Sequence, residues 1–310
     1  MQFRIAAYGE VRDHRGRLLL TRRRHAKGSH GPWHLPGGII NHGESPAEAA
    51  GRLVSHEVGT DLNALEPVAA LAIARNDVHT NAVVFRMDTP AAEPPSRPGT
   101  TVAWVDPQQA LAETHSPFVS AALGETDTRL AGQIHKSEAQ EVRPTPPSKA
   151  RKGRRKRGQR FGAYGVVSDA DGRILLAQIS EGYPGGGTWH LPGGGVDFAE
   201  APAQAVVREI WEETGQNAQV DRLLGVTSFR HRRAIGPEGY PLDWHGVRAI
   251  YGASVSDPSR AQVVEAAGGS TCQSRWFQAD ELRELPISPA VEDALGILDH
   301  SSPLKQHLTA

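Results

Sequence analysis

Three glutamates crowd one short segment in the second half of the chain: Glu209, Glu212 and Glu213. They stand at i, i+3 and i+4, so on a helix they share one face. Carboxylates packed that closely repel unless a cation joins them, and hard oxygen ligands at that density suit Mg²⁺ or Mn²⁺. Arg208, beside the first of them, can pair with one carboxylate and fix its rotamer. Gly193, Gly194 and Gly195 stand ahead of the segment, and residues without a Cβ let backbone groups approach a ligand closely. The alternative is a solvated acidic helix face that binds nothing. The glycine-rich loop weighs against it.

The elements that must position these groups are legible around them. A Gly/Pro-rich loop runs from Tyr183 to Gly195, and the pattern then predicts a helix over 202–214. Pro202 suits its first position and Gly215 suits the left-handed residue just past its end. Upstream, 161–168 and 173–179 read as strands joined by the turn Asp169–Gly172. Downstream, 247–255 and 275–278 read as strands, and 279–285 and 289–299 as short helices. Strands with few helices and no regular βαβ alternation predict an α/β (α+β) sandwich.

The chain repeats itself. Trp33-His34-Leu35-Pro36-Gly37-Gly38 returns 156 residues later as Trp189-His190-Leu191-Pro192-Gly193-Gly194. The offset holds for Glu44/Glu200, Arg52/Arg208, Glu57/Glu213 and Gly59/Gly215. At Trp104/Trp276 it has become 172, so the second copy carries 16 extra residues. A period this long means two whole domains, expected at 1–133 and 160–310. Copy one has Leu53 where copy two has Glu209, and His56 where it has Glu212; of the three glutamates only Glu57 survives. Its helix carries the capping-box pattern Ser45-Pro46-Ala47-Glu48 and ends at Gly59.

Between the copies, 134–159 reads as a polar, Pro-containing tether. Lys149–Arg160 carries eight positive charges and no carboxylate. Such a run is a candidate contact for nucleic acid, but it has no interleaved aromatic for base stacking, so a solvated tether is the expected reading. The net charge of −1 is therefore a cancellation: the remainder of the chain sums to −9. With 38% apolar and 22% charged residues, the composition is globular. The single cysteine, Cys272, excludes an intrachain disulfide and reads as a small filler. No apolar run reaches the ~18 residues of a membrane helix. Met1–Ile5 shows no basic segment followed by an apolar one, and a cytoplasmic protein is expected.

Gly194, five residues, Glu200, seven residues, then Arg208-Glu209-Ile210-Trp211-Glu212-Glu213-Thr214-Gly215 resembles the Nudix box at every fixed position except the last, where Gln216 replaces an apolar residue. The resemblance covers nearly all of 160–300 and, more weakly, 1–133. It implies two Nudix-like α/β/α sandwich domains in tandem, the second intact and the first degenerate. It also implies hydrolysis of a diphosphate linkage in a nucleoside diphosphate derivative, supported by Mg²⁺ or Mn²⁺. Glu209, Glu212 and Glu213, with Gly193, would hold the metal; Arg208 would orient a carboxylate; Gly194, Glu200 and Gly215 would brace the box. A further acid or base is expected from a distant loop, at Glu265 or Glu238. Relatives show Gly-Ser-Thr-Asp where this chain has Gly269-Ser270-Thr271-Cys272. Nudix enzymes are often dimers, so the degenerate copy is expected to pack on the active one as an intramolecular pseudo-dimer, or to regulate it; a homodimer is the alternative.

The extra residues of copy two fall near Phe229–His245. Arg230, Arg232 and Arg233 are candidates to reach phosphates, and Tyr240 and Trp244 to stack on a base or sugar; the alternative is a solvated hairpin with one buried aromatic. Tyr183 is a further candidate. The rival reading is a nucleotide-sensing module whose basic linker contacts nucleic acid; isomerase chemistry on the same scaffold is a third.

Overall fold

The computed structural model describes residues 1–24, 29–90, 99–124, 156–235, 241–264 and 269–301. In the first copy, strands β1 (Gln2–Glu10), β2 (Leu18–Arg23) and β3 (Gly37–Ile39) lead to helix α1 (Pro46–Val58). Strands β4 (Ala64–Arg75), β5 (Val78–Met87) and β6 (Thr100–Val105) follow, then α2 (Pro107–Ala112) and α3 (Pro117–Ala122). The second copy repeats this with β7 (Lys156–Asp169), β8 (Ile174–Ile179), β9 (Trp189–His190), β10 (Gly193–Gly195) and helix α4 (Pro202–Thr214). It continues through β11 (Gln219–Ile235), β12 (Pro241–Val255), β13 (Thr271–Phe277), a 3₁₀ turn (Glu281–Glu284) and α5 (Pro289–Ser301).

The first sheet has the order β3-β1-β5-β4, with β2 and β6 paired separately. The second has β11-β12-β7-β8-β13, with β10 on β7 and β9 on β8. The shared signature is the parallel pair at the centre: β1 with β5, and β7 with β12. The result is a mixed α+β architecture, used twice. Both box helices sit where the sequence puts them. Ser45 and Glu48 form the reciprocal cap of α1, and Gly59 and Gly215 end the two helices with φ of 85° and 69°. The helix expected at 279–285 is only one 3₁₀ turn, closed by Pro286, which disfavours helical backbone in the residue before it.

Two boundaries differ from expectation. β7 begins at Lys156, so the last residues of the basic run are strand rather than tether, paired in register with Leu242–Gly246. Most of the 16 extra residues lengthen one hairpin: β11 and β12 have 17 and 15 residues against 12 and 10 in β4 and β5.

The two copies pack on each other. One continuous apolar cluster holds Ile5, Ala7, Val83 and Phe85 of the first copy with Phe161, Ala163, Ala249 and Tyr251 of the second. The box helices join this layer, with α4 also against β4 and α1 also against β11. The polar contacts are reciprocal. His245 Nδ1 accepts the Gly43 N–H at 3.0 Å, and His79 Nδ1 accepts the Ala199 N–H at 2.9 Å. Gly43 and Ala199 are 156 residues apart. His79 pairs across its sheet with Phe3, and His245 pairs with Gln159, again 156 apart. A contact made once in each direction by corresponding residues is the mark of an isologous interface.

Candidate active site

The glycine loop is shaped by contact. Gly193 has φ 148°, and a Cβ there would strike Ala163 O and Tyr164 Cα, so only glycine brings this backbone against β7. Its N–H then points at Glu213 Oε2, 3.0 Å away. The Glu209 carboxylate lies over Gly194, and the Arg160 guanidinium lies over Gly195.

Arg208 is the hub of the box. Its Nε and Nη2 donate to the two oxygens of Glu200 at 2.8 and 3.0 Å, and Nη2 also reaches Gly195 O at 3.1 Å. Its Nη1 donates to Glu209 Oε1 at 2.9 Å and to Glu212 Oε2 at 3.0 Å. These charge-assisted bonds push the Arg208 pKa up, with Glu200 the largest cause. Burial pushes the Glu209 carboxyl up despite the cations of Arg208 and Arg160, and the neighbouring Glu212 charge adds to the rise. Glu213 is 5% exposed and spends its other oxygen on the Thr271 hydroxyl at 2.7 Å.

The first copy separates bracing from chemistry. Arg52 holds both oxygens of Glu44 at 2.6 and 2.7 Å, as Arg208 holds Glu200. Glu57 accepts the Gly37 N–H at 3.0 Å and the Thr21 hydroxyl at 2.7 Å. Both braces persist, whereas the positions of Glu209 and Glu212 hold Leu53 and an exposed His56.

Among the described residues, no three His, Cys, Asp or Glu side chains form a ready-made metal cluster. Glu213 is turned to Gly193 and Thr271, while Glu209 and Glu212 share Arg208. The donor chemistry still fits a hard cation: Glu209 and Glu212 present oxygens side by side, and the desolvated Glu209 gains from any added positive charge.

Beside the box, the Tyr164 and His190 rings meet edge to face at 5.2 Å, and His190 Nδ1 is 2.5 Å from Ser288 Oγ. Burial first, then the Arg248 charge, pushes His190 down to about 4, so its imidazole is neutral at pH 7. Arg248 stacks on Phe229 at 4.1 Å and lies 3.8 Å from Asp293. Besides Arg208, two cations act on these groups through charge: Arg160 on Glu209 and Tyr164, and Arg248 on His190 and Tyr164. Arg160 closes the basic run and stands just beyond the expected tether, at the start of the second domain; its match to Arg4 at the 156-residue offset marks it as part of the repeat.

The residues expected to read substrate are more dispersed. Arg230 is clamped by Asp243 at 2.9 and 2.6 Å and covers Gly43 of the first copy, so it serves the interface between copies. The Trp244 ring occupies the space that a Cβ at Gly158 would need. Arg232, Arg233 and Tyr183 are exposed. Tyr240, Glu238 and Glu265, and Lys149–Arg155 of the basic run, lie outside the described residues. Cys272, expected as a filler, is exposed and bonded through Sγ to Gln178 O. Two clefts, of about 420 and 410 Å³, lie on the first copy. One is lined by Arg4, Tyr8, Arg75 and Phe118; the other by Tyr8, Arg22, His34 and Glu57.

The second copy of this mixed α+β tandem thus sets an arginine-centred glutamate box behind a glycine loop. The family model described as NUDIX domain matches residues 2–123 and again 158–297, so the chain belongs to the Nudix family and is a Nudix-type hydrolase. A MutT-like protein of Streptomyces ambofaciens is 47% identical over 139 residues, covering 45% of this chain and 77% of that protein. A CTP pyrophosphohydrolase of Escherichia coli is 30% identical over 126 residues, covering 40% and 81%. Diphosphoinositol polyphosphate phosphohydrolase 2 of Mus musculus is 38% identical, over 21% of this chain and only 35% of its own length. A solved MutT Nudix hydrolase of Burkholderia pseudomallei is 32% identical, covers 45% of this chain and 98% of its own, and has a TM-score of 0.34. The family acts on nucleoside diphosphate derivatives and generally uses divalent metals. Among the described residues no helix is long and apolar enough to cross a membrane.

Proposed function

We propose that the second copy hydrolyses a diphosphate linkage in a nucleoside diphosphate derivative with Mg²⁺ or Mn²⁺, while the first copy, catalytically silent, serves it as the other half of an intramolecular pseudo-dimer. One observation carries the reading: the braces Glu200–Arg208 and Glu213–Gly193 exist in both copies, but the pair Glu209/Glu212 on Arg208 Nη1 exists only in the second.

Glu209 and Glu212 would hold the cation, with Glu213 and the Gly193 carbonyl beside them. When bound, the cation neutralises the diphosphate and lowers the pKa of nearby water. Arg208 fixes both carboxylates, and Glu200 fixes Arg208. Arg160 and Arg248 are placed to receive the remaining phosphate charge. Neutral His190 offers hydrogen bonds rather than charge. A cytoplasmic location accompanies this reading.

The test is a Mg²⁺-supplemented panel of nucleoside triphosphates, dinucleotides and nucleotide sugars, scored for monophosphate, pyrophosphate and phosphate products. Turnover by the whole chain that Glu212→Gln abolishes supports the proposal. No turnover of any compound counts against it.

A second reading, a regulatory ligand site on the first copy, is favoured by the cleft lined by Arg4, Arg75, Tyr8 and Phe118. Two guanidinium groups with two aromatic rings suit a nucleotide. Calorimetry on the Glu212→Gln chain with the same panel decides it: binding to that variant must disappear in Arg75→Ala.

A further inference from the structure

We propose that His79 of the silent copy is a positioning residue for the active one: by holding the Ala199 N–H it fixes the turn 197–200 and, through Glu200, the Arg208 guanidinium of the box. The chain of contacts is continuous. His79 is fully buried, and its Nε2 lies 3.1 Å from Asn81 Oδ1. An amide oxygen only accepts, so Nε2 carries the proton and Nδ1 is left to accept. That lone pair receives the Ala199 N–H at 2.9 Å across the interface. Ala199 has φ 65°, a left-handed conformation that alanine rarely adopts; the corresponding residue of the first copy is Gly43, at φ 83°. Such a residue stays put only where its surroundings hold it. The next residue, Glu200, closes the turn onto the Asp197 N–H at 2.9 Å and grips Arg208 with both oxygens. Arg208 then sets Glu209 and Glu212. The aromatic ring of Phe198 lies against both His79 and Phe3, so this corner belongs to the interface rather than to the second copy alone.

The pseudo-symmetry supplies the control. His245 Nδ1 also accepts a backbone N–H, that of Gly43, though it shares the lone pair with the Gln159 amide, and Gly43 precedes Glu44, which grips Arg52. That chain ends at Leu53 and His56, where there is nothing to position.

The kinetic arm rests on the hydrolase reading; the exchange arm does not. In the full chain, His79→Phe keeps a ring against Phe3 and Phe198 but removes the acceptor. His79→Asn places an oxygen near the position of Nδ1. We expect His79→Phe to lower kcat about ten-fold with KM little changed, in the range seen when outer partners of a ligand set are lost. His79→Asn should recover most of that, and His245→Phe should leave kcat alone. Amide exchange without substrate should accelerate at Ala199 in His79→Phe and return toward wild type in His79→Asn. Unchanged exchange at Ala199, or equal kcat losses in His79→Phe and His245→Phe, overturns the proposal. If the wild-type chain turns over nothing on the panel, the hydrolase reading fails and the exchange result alone decides the role of His79.

Discussion

Glu213 accepts the backbone N–H of Gly193 at 3.0 Å, and it does so from a position where it is almost wholly buried. The same bond, at the same length, joins Glu57 to Gly37 in the copy that has lost the other two glutamates. A carboxylate retained where its neighbours are gone has a task that does not depend on them. Here that task is to satisfy a backbone donor that the glycine loop leaves without a sheet partner.

Glu213→Ala should therefore unfold more easily than wild type, and Glu57→Ala should do so to a similar extent. Each leaves a backbone N–H and a threonine hydroxyl unpaired, at about 1–3 kcal/mol for a stranded buried group. Urea denaturation of both variants measures this. An unchanged midpoint in Glu57→Ala would show that the bond is idle in the first copy.

Glu209→Gln and Glu212→Gln should behave in the opposite way, losing activity by ~10² or more while remaining folded, as when metal positioning fails. The Glu209 carboxyl is raised by burial, so its charge opposes folding at neutral pH; the stability its protonation gives is lost as pH rises through the folded value. In chelator at pH 7, Glu209→Gln should then melt at or above wild type. Wild-type turnover in both variants, with the metal requirement intact, would sink the assignment.

The box, its helix and the duplication could be read from sequence because each is local or periodic: a spacing of glutamates, a proline and a glycine at the helix ends, an offset of 156 residues. What could not be read depends on which groups meet. Arg230 has the type and place of a phosphate contact, yet Asp243, thirteen residues away across the hairpin, claims it. Arg160 sits in a run of tether-like charge, yet strand pairing carries it over Gly195. His79 and His245 match no motif; only the offset between strands, together with the interface, gives them a meaning.

His190 makes stability depend on pH. Its pKa falls from an ordinary 6.5 to about 4 on folding, so the folded chain resists protonation that the unfolded chain accepts. That contribution is complete above pH 6.5 and is lost as pH falls from 6.5 toward about 4, roughly 3 kcal/mol in all. His79 and His245 are also depressed by burial and add to the same slope. Denaturation midpoints measured across that window should fall, and His190→Asn should flatten part of the fall. A wild-type profile that is level from pH 7 to 4 would contradict the burial of these rings.

Arg160 distinguishes the proposed active site from the basic run that precedes it in the sequence. Its guanidinium covers Gly195 and partly offsets the rise that burial gives the Glu209 pKa, and Arg160→Ala should raise KM for a diphosphate substrate about ten-fold, the loss of one charge-assisted contact. It should also move the acid limb of the activity profile to higher pH, because Glu209 loses a stabilising cation. Replacing Lys149, Arg151 and Lys152 by glutamine should change neither. If those tether variants instead abolish a salt-dependent retention on DNA or RNA, the basic run has a nucleic-acid partner.

The pairing of the copies predicts what the second does without the first. A segment 156–310 would keep its own sheet and box but expose the layer formed by Phe161, Ala163, Ala249 and Tyr251, and would leave His245 and Arg230 without Gly43 above them. The face that meets the first copy has the same layout as the face it meets, so two such segments can bury it against each other. Sedimentation should find a dimer, with weaker activity on dilution. The start point matters: cutting at 160 removes Lys156–Gln159, the strand partners of Leu242–His245, together with the Gln159 amide that donates to His245 Nδ1 at 3.0 Å. If segment 156–310 is monomeric, stable and as active as the whole chain, the first copy is not needed for packing, and its retention must be explained by its own cleft.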